Sequence, residues 1–220
     1  MDIANNSRMK WIICRCLRIY PRIRQRVCIF INWFLFYING VKVGKQLRVF
    51  NKIYLTKAFD ASMFVGDNFT FTSGGGINPL CRNKKGQIFI ESGGEISIGN
   101  NTGISSSCLW AKNKIIIGNN VNIGGDCIIM DTDAHNLDWH VRAGLVRDDN
   151  GNIMNDTISA KSAPIIIEDH AFIGTRSIIL KGVTIGARSI IAAGSVVTKS
   201  IPPDCIAGGN PCKVIRYLNA

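Results

Sequence analysis

Residues 131–140 read Asp-Thr-Asp-Ala-His-Asn-Leu-Asp-Trp-His and crowd carboxylates and imidazoles into one decade. Two of its three histidines stand here, at 135 and 140, with Asp131, Asp133, Asp138 and the aromatic Trp139. An imidazole exchanges protons near neutral pH, so the grouping suits general acid–base work. Imidazoles also ligate zinc, and with His170 the chain holds three of them. No GxGxxG or Walker-type glycine loop follows a strand pattern, which leaves phosphate chemistry of that kind without support. The eight cysteines include no CxxC pair, and a chain of 220 residues needs no disulfide staples. They read as reduced thiols.

The elements that position these residues show in a period of six. Large aliphatics recur at Ile167, Ile173, Ile179, Ile185, Ile191 and Val197. Four residues later comes a small or modest side chain at Ala171, Ser177, Val183, Ser189 and Ser195, with Ile201 the exception. Related phrases stand upstream: Val43-Gly-Lys-Gln-Leu47, Val65-Gly-Asp-Asn-Phe69, Ile98-Gly-Asn-Asn-Thr102 and Ile117-Gly-Asn-Asn-Val121. A helix repeats about every 3.6 residues and a plain strand about every 2, so six requires short strands with a bend after each. Gly-Asn pairs tolerate the positive φ of such corners. Three strands per turn, stacked as parallel pairs around an axis of Ile and Val, give an all-β parallel β-helix. By the same phase Cys108 and Cys127, four residues after Ile104 and Ile123, are expected to fill the small inward position.

The hexads run from Ile117 through Ile123 to Ile129, stop, and resume at Ile165–Ile167. The opening decade lies in this break, residues 131–163. So long an excursion from a regular scaffold is expected to be functional. Because the coils on both sides still stack, it must leave and re-enter at one level and project outward.

The text "APIIIEDHAFIGTRSIILKGVTIGARSIIAAGSVVTKSIPPDCIAGGNPCKVIR" at 163–216, with "DTDAH" at 131–135, resembles the hexapeptide-repeat acyltransferases. It is similar in particular to the galactoside and maltose type and to sugar O-acetyltransferases that decorate capsule or lipopolysaccharide. The resemblance covers residues 43–216. It implies a left-handed coil, a homotrimer, and acetyl-CoA as acyl donor with no metal required. It makes His135 the general base, deprotonating a sugar hydroxyl as that attacks the thioester, so that no acyl-enzyme forms. Asp131 or Asp133 would then hold the second ring nitrogen, and Trp139 would offer a platform to a sugar face. His140 is expected to be an ordinary solvated residue. The donor's pantetheine would lie along Thr175, Ala193 and Thr198, with Lys199 near the phosphates and Lys213 and Arg216 on the nucleotide phosphates. Phe172 stands where many relatives carry Trp.

The net charge of +11 is concentrated at one end. Residues 1–48 hold ten Lys or Arg against one acid, Asp2, while the remainder is nearly neutral. Apolar residues from Trp11 to Leu35 recur at loosely helical spacing with arginines opposite. Residues 1–42 therefore read as a basic amphipathic helical segment that touches an anionic membrane surface, caps the first coil, or does both. The apolar run Val27–Ile38 is too short to cross a bilayer, and no small-residue cleavage site follows it. A cytoplasmic protein, peripheral to the inner face of the membrane and without a nucleic-acid partner, is expected. The chain divides into 1–42, a β-helix over 43–202 with the protruding loop 131–163, and a tail, 203–220, that contributes to the donor site.

Two rivals share the scaffold. A zinc lyase of the carbonic anhydrase type would use the three histidines, but its lone histidine precedes the close pair, whereas His170 follows it. A non-catalytic trimerisation module would need neither the polar interruption nor the terminal Lys213–Arg216 pair.

Overall fold

The computed structural model describes residues 3–74, 76–81 and 84–218. From Lys42 onward the chain winds through short strands that assemble into three sheets, two of six strands and one of eight. Neighbours within a sheet lie a full coil apart in sequence, which is the order a β-helix demands. The described strand pairs are parallel except the last, where Cys205–Gly209 meets Cys212–Tyr217 antiparallel.

Each sheet contributes one ladder to the axis. In the first, Val43, Val65, Ile98, Ile117, Ile167 and Ile185 stand in register. The second stacks Val49, Phe71, Ile104, Ile123, Ile173 and Ile191. The third stacks Leu55, Ile88, Leu109, Ile129, Ile179 and Val197. Apart from Val43 and Leu55 at the first coil, none is more than 3% exposed. Burying one such side chain is worth about 1.5–3 kcal/mol, so the axis dominates stability.

The corners follow from the Gly-Asn phrases. Asn68, Asn101 and Asn120 take φ of 57°, 54° and 55°, and their side-chain amides form a ladder at 2.9 and 3.2 Å. A Cβ on Gly118 would collide with Asp169 of the next coil, so adjacent coils can close only on glycine there. The small inward positions behave as the period requires. Ser177, Ser189 and Ser195 are buried and donate to the carbonyls of Gly174, Pro202 and Ala192. Cys127 is buried likewise, and burial pushes its thiol up to about 11.

Cys108 departs from the expectation. It points outward and is partly exposed, while Ser107 takes the inward place. Inward residues Ile104 and Leu109 are only five apart, so this coil is one residue short, and the register slips at Ile123–Gly125 opposite it.

The N-terminal segment forms one helix, α1, Ile3–Ile38. Its last turns press on the first coil. Phe36 is fully buried there, and Asn32 Nδ2 donates to the carbonyls of Val49 (3.0 Å) and Asn51 (2.7 Å). An open sheet end exposes unpaired carbonyls, and Asn32 supplies two of the missing donors. The opposite face of α1 stays uncovered: Ile23, Val27, Phe30 and Phe34 are half to two-thirds exposed. Among the described residues no helix is long and apolar enough to cross a membrane.

Candidate active site

The loop 131–163 leaves the third sheet after Ile128–Met130 and returns to the first at Ile165–Ile167. Its neck is a short antiparallel pairing. Asp133 N–H donates to Lys161 O, Ala163 N–H donates to Asp131 O, and Thr132 bridges Ser162. Lys112 pins the returning limb, its ammonium donating to the carbonyls of Thr157, Ile158 and Ala160 at 2.7, 2.7 and 3.0 Å. The excursion thus leaves and re-enters at one level.

Just past the neck, Ala134 adopts φ 63° and donates its N–H to Thr132 Oγ1. Left-handed backbone is uncommon for residues other than glycine, and this tight turn sets the direction of His135. The His135 side chain is 64% exposed, and its Nδ1 lies 2.5 Å from Asp156 Oδ2. The other carboxylate oxygen of Asp156 accepts the N–H of Asn136 at 2.7 Å. With both oxygens occupied the carboxylate cannot swing, so the imidazole is held at Nδ1 and Nε2 is left to solvent. The hydrogen bond from His135 holds the Asp156 carboxyl below the usual carboxylate range.

Asp156, and neither Asp131 nor Asp133, is therefore the partner of His135. Asp131 is fully buried and accepts the backbone N–H groups of Lys112 and Asn113 at 2.7 and 2.8 Å, a structural staple beneath the loop. Burial pushes its carboxyl up, against the pull of those amides. Asp133 pairs with Lys181 at 2.8 Å, and its Oδ2 is buried without a partner among the described residues. The sequence carried no signal for Asp156, which lies 21 residues from His135 in an irregular limb.

The remainder of the decade builds the short helix α2, Trp139–Arg142, capped by Asp138. Asp138 Oδ1 accepts both the backbone N–H and, at 2.8 Å, the ring nitrogen of His140. Trp139 stacks on that imidazole with centroids 3.8 Å apart and remains more than half exposed. His140 thus has a local structural role and does not reach His135's carboxylate. Among the described residues no three His, Cys, Asp or Glu side chains converge as a metal site.

A groove of about 530 Å³ runs along the outer face of the second sheet. Phe172, Thr175, Ile190 and Ala193 line one side, and Asn78 and Leu80 overhang it from the 73–86 loop. That loop presses close because Cys81 is buried against Gly125, where a Cβ would stand 2.9 Å from the sulfur. Thr175 fixes its own hydroxyl by donating to Gly125 O. The structure therefore brings Thr175 and Ala193 together, with Phe172 beside them. Lys213 and Arg216 are exposed on the last strand of the same sheet, opposite Gly208 and Ile206. Thr198 and Lys199 are not in this group: they follow Val196–Val197 at the far edge of the third sheet, on the side where the loop emerges. No residue of 131–163 lines the groove. The sequence did not reveal the overhanging 73–86 loop, which carries no hexad.

Comparison with known proteins agrees with this architecture. Residues 164–199 match the family model described as the hexapeptide repeat of succinyl-transferase. The galactoside O-acetyltransferase of Escherichia coli (strain K12) is 53% identical over 58 residues, 26% of this chain and 29% of that protein. A hexapeptide-repeat-containing acetyltransferase of Vibrio cholerae O1 biovar eltor, solved in complex with acetyl coenzyme A, is 35% identical with a TM-score of 0.50. That match covers 60% of this chain and 64% of the Vibrio chain. The maltose O-acetyltransferase of Clostridium difficile 630 is 28% identical with a TM-score of 0.50, over 80% of this chain and 69% of that one. The chain thus spans less than a third of its galactoside relative and under two thirds of the Vibrio protein. In repeat, fold and terminal coils the chain is thus similar to hexapeptide-repeat acetyltransferases, each matched over part of its length.

Proposed function

We propose that this protein is an acetyl-CoA-dependent O-acetyltransferase acting on a sugar hydroxyl of a cell-surface polysaccharide or its precursor. The observation that carries the reading is the His135–Asp156 pair at 2.5 Å on a loop anchored at its neck. Held at Nδ1, the imidazole offers Nε2 to the acceptor. As the acceptor oxygen bonds to the thioester carbon, its proton passes to Nε2. The carbon–sulfur bond then breaks, and the imidazolium returns the proton to the departing thiolate. Acceptor and donor exchange the acyl group directly, so no protein nucleophile takes part. This fits the burial of Cys127, whose raised pKa keeps it a thiol.

Thr175 and Ala193, with the apolar wall of Phe172, would hold the pantetheine arm, and Lys213 and Arg216 the nucleotide phosphates. The Vibrio relative's bound acetyl coenzyme A supports acetyl-CoA as donor. The galactoside and maltose relatives support a sugar acceptor, with Trp139, exposed on the same loop as His135, as its platform. In this reading the protein works as a homotrimer on the cytoplasmic side, with α1 against an anionic membrane surface.

The test is release of coenzyme A thiol from acetyl-CoA with a panel of sugar acceptors. His135→Ala should lose about 10²–10⁴ in rate while still binding coenzyme A. Near-normal turnover in that variant would overturn the assignment. Lys213→Ala and Arg216→Ala should weaken acetyl-CoA by about 1.5–3 kcal/mol each, with far less effect on a pantetheine-only donor. Equal losses for both donors would remove these residues from the phosphate site.

A further inference from the structure

A second pocket, of about 460 Å³, opens where α1 meets the first coils, and nothing in the acyl-transfer reading uses it. Arg24 of α1, Lys52 before the strand Tyr54–Lys57, and Lys85 of the 73–86 loop all line it. Three separate elements thus bring a cation to one place, although the charges repel. Among the described residues none of the three pairs with a carboxylate, and no acidic side chain lines the pocket.

The arrangement is organised. Arg24 donates to Asn51 Oδ1 at 3.2 Å, and Asn51 in turn donates to Ser73 O at 2.7 Å. Lys85 Nζ donates to Tyr54 OH at 3.3 Å. Both Lys52 and Lys85 stand over the Tyr54 ring, 5.8 and 5.3 Å from its centroid. The ring and Asn51 therefore gather the cations without neutralising them, a task left to a ligand.

We propose that this pocket binds a phosphomonoester-type dianion. A guanidinium fork offers paired donors to phosphate oxygens, and ammonium groups add point charges. Three unneutralised cations favour a dianion over a singly charged group. Two sources carry this chemistry, a lipid headgroup and a soluble phosphate. Arg24 lies next to Ile23 and near Val27 on the exposed apolar face of α1, which suits a headgroup whose chains lie along that face.

The experiment uses the full chain. Calorimetry measures inorganic phosphate in solution. Sedimentation compares phosphatidylcholine vesicles containing phosphatidic acid, a phosphomonoester, with vesicles of equal surface charge containing phosphatidylglycerol, a diester. The double variant Lys52→Gln/Lys85→Gln is set against Lys10→Gln/Arg15→Gln, which removes the same charge from α1 outside the pocket. Circular dichroism checks that both fold.

The pocket variant should lose about tenfold or more in phosphate affinity, or in preference for phosphatidic acid, while the control keeps both. Phosphate binding without lipid preference identifies a soluble ligand, and lipid preference without phosphate binding identifies a headgroup. Either result supports the site. Equal losses in both variants, or wild-type protein that binds neither phosphate nor phosphatidic acid preferentially, would overturn it.

Discussion

His135 has one ring nitrogen committed and one free, and the commitment comes from Asp156. Asp156→Asn keeps the shape but removes the charge that holds the imidazole. In buried triads that exchange costs about 10⁴ in turnover. The pair here lies in solvent, where water can partly replace the carboxylate, so kcat should fall by only about tenfold to a hundredfold. Donor KM should stay unchanged, since Asp156 is bonded to the His135 ring and the Asn136 backbone N–H. A loss in KM alone would show that Asp156 shapes the donor site instead. The pH dependence has a definite sign. The folded Asp156 pKa lies below the usual carboxylate value of about 3.9, so its bond to His135 is complete above that pH. It is lost only as pH falls through the lower, folded value. Carboxyl carbon shifts followed by NMR should show this titration, and in His135→Ala it should return toward the ordinary range. Titration unmoved by that substitution would mean the pair does not form in solution. The sequence singled out His135 but not the carboxylate beside it. Asp131 and Asp133 are neighbours of His135 along the chain, yet one ends a coil and is folded beneath the loop, and the other turns to Lys181. Proximity in sequence failed as a guide because the turn at Ala134 swings His135 away from both aspartates.

At the scale of elements, α1 presents two faces with different work. Phe36 and Asn32 close the first coil, while Ile23, Val27, Phe30 and Phe34 stay half to two-thirds exposed. Phe36→Ala should cost about 3–5 kcal/mol of stability. In a protein of this size that lowers Tm by roughly 6–20 °C. Phe30→Ala/Phe34→Ala should change stability little, since both side chains are already exposed, but should reduce flotation with anionic vesicles. If the exposed pair proves as destabilising as Phe36, that face packs on protein rather than lipid. The two roles were both readable as alternatives in the sequence, because one apolar helical face with arginines opposite suits either. The β-helix itself was legible from its hexads, since each coil repeats one packing constraint. The coil through Ser107 was not, because a single missing residue shifts the phase and turns Cys108 outward without altering the surrounding pattern.

Across the whole molecule, the two halves of the proposed site stand apart in one chain. His135 emerges where the third sheet gives way to the first, whereas Thr175 and Ala193 lie where the second sheet gives way to the third. A full face of the coil separates them, and transfer requires thioester and imidazole within a few ångströms. Thr198 and Lys199 stand on the loop side of that face, away from the groove with which the resemblance groups them. Both discrepancies disappear if the groove of one subunit faces the loop of the next, as a cyclic assembly allows. Mixing provides the test. His135→Ala and the groove-filling Ala193→Trp should each be inactive alone. In an equal mixture, assembled by co-expression, a site is intact when one chain supplies the base and its neighbour supplies the groove. Each of the two has an even chance of being the right variant, so about a quarter of wild-type activity should return. If both halves belonged to one chain, no mixture would contain an intact site, and activity would stay at the level of the separate variants. Recovery near a quarter, with the trimer confirmed by sedimentation, would place the reaction at the boundary between subunits.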